Sequence, residues 1–166
     1  MTRIQQLIDR LGLLPHPEGG YFRETYRSSG ASEVVLSNTE VASRNYSTAI
    51  YFLLTRGNFS AFHRIASDEV WHFYQGDPIL IHCLEPNGDY NRLELGNDVV
   101  GEQQPQQIVP AGTWFASEVM ADGEFGLVGC TVAPGFDFAD FELANAEELT
   151  KEYPDHAELI ARLTRQ

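Results

Sequence analysis

The chain has 166 residues, enough for one domain with a sizeable core. With 11 basic and 24 acidic residues its net charge is −13, which excludes a phosphate backbone or an anionic lipid surface as a natural partner. A hydrophobic fraction of 43% with 21% charged residues is the balance of a globular fold and excludes a disordered chain.

Residues 2–11 predict a short amphipathic helix, with Thr2 as cap, Ile4, Leu7, Ile8 and Leu11 on one face, and Gly12 as stop. Charges interrupt this segment, so it does not read as a secretory signal, and no run reaches the ~18 apolar residues of a membrane span. "PHPEGG" at 15–20 breaks the helix. "YFRETYRS" at 21–28 then reads as a strand whose faces, Tyr21, Arg23, Thr25 and Phe22, Glu24, Tyr26, are both mixed. One of Arg23 and Glu24 should face inward. An inward Arg23 would suit a carboxylate or phosphate through its forked donors.

Residues 28–46 are small and polar, with "EVVLS" as one short strand. Strand-like runs follow at 47–54, 59–65, 69–75, 78–84, 90–95, 106–109, 113–119 and 125–133, separated by turn signals such as Asn87-Gly88-Asp89. Short, evenly spaced strands without intervening helices predict an all-β sandwich or barrel. "PGFDFADFELA" at 134–144 predicts phenylalanines laid on that barrel, with a lid or dimer element as the sharper alternative. Asn145 and Glu148 form a capping box, and two C-terminal helices follow, with Pro154 in a first turn and Leu159, Ile160 and Leu163 facing the core. Cys83 and Cys130 lie in apolar runs and read as buried free thiols of a cytoplasmic protein. Residues 1–166 are expected to form a single domain.

"GNFSAFHRIASDEVWHFYQG" at 57–76 concentrates the chemistry. Gly57, His63, Glu69 and Gly76 resemble the first conserved motif of the cupin superfamily, and Pro110-Ala111-Gly112 within "VPAGTWF" resembles the second. With "HPEGGYFRETYRS" and "GCTVAPGFDFADFELA", they resemble together a compact cupin family of unknown function. The resemblance implies a double-stranded β-helix, or jelly-roll barrel, similar in fold to keto-deoxysugar epimerases. It also implies a homodimer and a small-molecule cavity. It carries no reaction across.

Cupin metal sites use three histidines and a glutamate. Here His63 and Glu69 match two ligands, while Ile65 and Phe115 stand at the other two positions. No tight cofactor is expected, only a weak divalent metal at His63 and Glu69. His63 is expected to act as a base oriented by Glu69. Tyr21, Tyr51 or Tyr74 would supply a second acid or base. Glu18, Arg23, Trp71, His72 and Trp114 are the candidate ligand-binding residues, although strict alternation turns His72 away from the face of Glu69. Three functions remain open: an isomerase or epimerase of a carbohydrate-like ligand, a non-catalytic metabolite-binding module, and a metal-dependent cupin enzyme with a degenerate ligand set.

Overall fold

The computed structural model describes residues 1–36 and 39–165. Helix α1 (Arg3–Leu11) is followed by β1 (Leu14–Pro15), β2 (Tyr21–Arg27), β3 (Ala31–Val35), β4 (Val41–Asn45) and β5 (Thr48–Thr55). Next come β6 (Phe59–Arg64), β7 (Asp68–Gly76), β8 (Ile79–Leu84), β9 (Tyr90–Leu95), β10 (Gln106–Val109), β11 (Trp114–Val119) and β12 (Phe125–Ala133). A 3₁₀ turn (Phe138–Asp140), β13 (Glu142–Leu143), α2 (Ala146–Glu152), a second 3₁₀ turn (Pro154–His156) and α3 (Ala157–Arg162) complete the chain.

A six-stranded sheet, β1-β2-β5-β12-β7-β10, faces a five-stranded sheet, β13-β6-β11-β8-β9. Alternation along each strand sends one set of side chains between the sheets and the other outward. This is the jelly roll that the strand spacing and the two motifs predict. β3 and β4 form a separate hairpin. Only "EVVLS" is legible there from sequence, and its last residue, Ser37, lies outside the described residues. The short strands β1, β4 and β13 have no apolar alternation to announce them.

Three clusters hold the layers together. Between the sheets, Phe52, Leu54, Trp71, Ile79, Ile81, Phe115 and Val128 fill one end of the sandwich. On the outside of the smaller sheet, Leu149, Ile160 and Leu163 bring α2 and α3 onto Phe62, Leu84 and Trp114. On the outside of the larger sheet, Leu7 of α1 packs with Leu53, Phe125 and Leu127. Each fully buried aliphatic side chain contributes about 2 kcal/mol by leaving water. Thr2 accepts from the Gln5 amide to cap α1, and Asn145 accepts from the Glu147 and Glu148 amides to cap α2. Among the described residues no helix is long and apolar enough to cross a membrane. Cys83 and Cys130 are free and buried.

The core cluster draws on Phe52 and Leu54 of β5, Trp71 of β7 and Val128 of β12, which lie toward one end of these strands. At the other end, Thr48 and Ile50 of β5, Glu69 of β7 and Val132 of β12 line a cavity of about 270 Å³. The sandwich is therefore packed at one end and hollow at the other.

Candidate functional site

His63 on β6 and Glu69 on β7 both line this cavity, joined there by Glu18 and His16 from the turn before β2. That turn is pressed onto β6: the Ala61 amide donates to the Glu18 carbonyl at 2.8 Å, and Arg165 Nε donates to the same carbonyl at 3.1 Å. The close approach requires glycine. Gly19 has φ 111°, and a Cβ there would collide with the Phe59 carbonyl and the Arg165 guanidinium. The glycine pair thus lets Glu18 reach in over the strand.

Glu18 Oε2 lies 2.9 Å from His63 Nε2. On its other side His63 Nδ1 lies 2.7 Å from the Ala61 carbonyl, which can only accept, so Nδ1 carries a proton. A bare Nε2 would then set its lone pair against a carboxylate, so a proton must also lie between Nε2 and Glu18. The pair is an imidazolium and a carboxylate. Burial pushes the His63 pKa down, but the Glu18 charge and hydrogen bond, the Ala61 carbonyl and Glu69 together raise it. Burial likewise pushes Glu18 up, and the opposing pull of His63 leaves it below its ordinary value. His16 accepts from the Glu18 amide through Nδ1 at 3.2 Å, and burial holds its pKa low, so it is a neutral imidazole.

Glu69 is different. It is 8% exposed and has no ion pair within 4 Å among the described residues. Burial raises its pKa to about 7, against the pull of His63 and with a further push from Glu18. The Cys130 thiol and the Trp71 indole N–H lie toward it and favour its anion, yet the indole N–H closes no hydrogen bond. Burial beside these carboxyls pushes the Cys130 thiol well up, so it stays a neutral S–H. The expected orienting partner differs in one respect: Glu18, not Glu69, makes the ion pair with His63, and Glu69 acts on the imidazole through its charge.

The walls are apolar and aromatic. Phe22 of β2, Ile50, Ile65 and Val132 form the sides. Phe136, Phe138 and Phe141 cross the mouth, with Phe136 and Phe138 rings 4.9 Å apart and Phe141 5.3 Å from the His63 ring. Arg44 anchors this segment through two contacts to Asp140, at 2.6 and 2.7 Å, and Thr48 Oγ1 accepts from the Phe136 amide. The "PGFDFADFELA" segment therefore does more than pack on the sandwich, since it forms the cavity mouth.

Strand β2 presents Phe22, Glu24 and Arg27 to the cavity, not Arg23. A bulge lies between Glu24 and Tyr26, so that Glu24 faces Ile50 while Tyr26 faces Ala49 and Arg27 faces Thr48. The extra residue reverses the alternation, turning Tyr26 outward and Arg27 inward. Arg23 points away and donates to the Leu11 carbonyl at the end of α1, 3.1 Å away. Arg27 uses four of its five N–H groups, with both Glu24 oxygens, Asn45 and the Phe136 carbonyl as acceptors.

Three more expected ligand residues lie off the cavity. Trp71 faces inward as alternation requires, but into the packed end, edge-on to Phe52 and Phe115. Trp114 neighbours the inward Phe115, so it faces outward under the C-terminal helices with Arg64 stacked 4.3 Å over its ring. His72 faces outward, with Nε2 2.8 Å from Thr131 Oγ1. Of the tyrosines, Tyr21 and Tyr51 pack around α1 and Tyr74 is exposed, so none lines the cavity. Alternation already excludes His72 and Trp114. Nothing local in the sequence reveals His16 or Arg27 as cavity residues, whereas the lid alternative for 134–144 brings its phenylalanines there.

The cupin metal site does not fit these residues. Phe115 is fully buried against the His63 ring at 4.1 Å, and Ile65 offers only hydrocarbon. Among the described residues no group of three or more His, Cys, Asp or Glu is placed to hold a metal ion. The remaining histidine is already committed to Glu18.

Comparison with known proteins agrees with this architecture. The chain is 35% identical over 163 residues to an uncharacterized protein of Saccharomyces cerevisiae, covering 90% of this chain and 79% of that one. Two solved structures match nearly end to end. A hypothetical protein from Leishmania major has a TM-score of 0.90 and 36% identity, covering 99% of this chain and 100% of that chain. A protein from Shewanella oneidensis has a TM-score of 0.88 and 39% identity, covering 99% of each. Oxalate decarboxylase from Bacillus subtilis shares the fold alone, at a TM-score of 0.54 and 13% identity over 90% of this chain and 36% of that one. The model of the family described as "Cupin superfamily (DUF985)" matches residues 5–144, and this chain belongs to that family.

Proposed function

We propose that this chain is a cytoplasmic small-molecule cupin that moves a proton on a ligand held in the cavity, as an isomerase or epimerase does. The observation that carries this reading is Glu69: a buried carboxyl opening on a cavity with aliphatic and aromatic walls, with no ion-pair partner at hydrogen-bonding distance. A carboxyl whose pKa lies near the working pH exchanges a proton with least loss in either direction. Glu69 is the proton-transferring group in this reading. The Glu18–His63 pair holds a fixed dipole beside it, and the aromatic side chains at the mouth supply an apolar surface for the ligand.

The carbohydrate-like ligand that the resemblance implies finds limited support in the walls. Thr48 is the one hydroxyl on the cavity among the described residues, and the Phe136 amide already uses it. One observation favours the binding-module alternative: both His63 nitrogens are satisfied within the protein. A single experiment separates the two. Metabolites that raise the melting temperature are incubated with protein in D₂O, and carbon-bound deuterium is followed by NMR. Proton transfer predicts incorporation by the parent and none by Glu69→Gln. Binding without incorporation, or equal incorporation by the variant, refutes it.

The homodimer belongs to the same proposal. It is supported by the four-residue edge strand β10 with Ile108 59% exposed, a surface that a second copy would cover. Light scattering that gives a monomer at micromolar concentration would refute it.

A further inference from the structure

We propose that the cavity selects a small organic cation, a protonated amine on an apolar body, with its ammonium group at Glu69. This rests on the proton-transfer reading above and names the ligand class of the same site.

The charge inventory of the cavity is one-sided. Four carboxyl groups line it, Glu18, Glu24, Glu69 and Asp137, against the Arg27 guanidinium and the His63 imidazolium. Both cations are already committed, Arg27 to Glu24 and His63 to Glu18. Glu69 and Asp137 are left without a salt bridge among the described residues, and the Asp137 contact is to the Ala139 amide. Asp137 also feels the charges of Arg27 and Arg44, so an anionic ligand would meet the unpaired Glu69 carboxylate and find both guanidinium forks already paired with carboxylates.

The walls favour an apolar ligand body: Phe22, Ile50, Ile65, Val132 and the three mouth phenylalanines offer hydrocarbon, against which a polyol hydroxyl leaves water without a partner. Phenylalanine faces, in contrast, attract a cation, and Phe22, Phe136, Phe138 and Phe141 all border the same space. A cation beside Glu69 also supplies the counter-charge that this carboxylate lacks. An ammonium on a carbon next to a C–H bond acidifies that bond, so the ligand class and the proton transfer support one another.

Three probes of one shape and different charge test the inference: benzylamine, benzyl alcohol and benzoate, titrated calorimetrically at pH 8. The expected order has benzylamine about tenfold or more tighter than benzoate, with benzyl alcohol between. Glu69→Gln is expected to weaken benzylamine about tenfold and to leave benzyl alcohol unchanged. Asp137→Asn, at a half-buried position on the cavity lining, gives a smaller loss of the same sign and does not depend on the folding of the Glu69 variant. Benzoate binding as tightly as benzylamine, no measurable benzylamine binding at millimolar concentration, or unchanged selectivity in both variants overturns the proposal. A preference for benzyl alcohol, with deuterium incorporation intact, overturns the cation and leaves proton transfer standing.

Discussion

Replacing Glu69 with Gln should make the protein more stable at alkaline pH, although it removes a group from the candidate site. The folded protein raises this carboxyl from 4.5 to about 7, chiefly because burial penalises its charge. At about 1.4 kcal/mol per pH unit, that interval is about 3 kcal/mol. The sign follows from proton counts. Between about pH 4.5 and 7 the folded state keeps a proton that the unfolded chain releases, so stability falls as pH rises through this window. The loss is complete above the folded pKa and absent below the unfolded one. Gln keeps the shape without the charge. The variant should therefore match the parent near pH 4.5 and exceed it by about 3 kcal/mol at pH 8, a rise in melting temperature of about 6–12 °C for a chain of this size. Urea unfolding of both proteins at pH 5, 6, 7 and 8 measures the difference directly. A difference that stays flat with pH, or a parent that gains on the variant as pH rises, would refute the reasoning.

Gly19→Ala should be costly, because the new Cβ meets the Phe59 carbonyl and the backbone sits at φ 111°. A loss of about 2–4 kcal/mol is expected, together with an altered His63 imidazole signal in NMR as Glu18 withdraws. His72→Ala should leave ligand binding untouched, since the ring faces Thr131 on the outer side; the expected cost is about 1 kcal/mol for the lost hydrogen bond, read from urea midpoints. Phe141→Ala should weaken ligand binding more than it weakens the fold, because its ring covers the mouth beside His63 and lies outside the three core clusters. Calorimetry with a bound probe, set beside a thermal melt, separates the two effects.

The strand boundaries were largely legible because outward and inward positions alternate with period two, and the observed strands begin and end within a residue or two of the expected runs from β5 to β12. Glu69 and His63 were legible as cavity residues from motif spacing, and Ile65 and Phe115 as apolar side chains at the two other ligand positions. Arg27 was not legible. A single bulge after Glu24 inverted the alternation, and no Gly or Pro marks it. Glu18 was legible as a pocket residue, through its glycine pair, but its role was not: the turn meets β6 only after the sheets assemble. Trp71 failed for a different reason. Alternation predicts that a side chain faces inward, but not whether that stretch of the interior is packed or hollow.

Glu69 is a buried cavity carboxyl without an ion-pair partner among the described residues, while Glu18 holds His63 as an imidazolium. Carboxyl ¹³C NMR titration of the folded protein tests this arrangement most directly. The expected Glu69 midpoint is near 7, with Glu18 ionised throughout that range. A Glu69 midpoint in the ordinary carboxylate range of about 4.3 would contradict it.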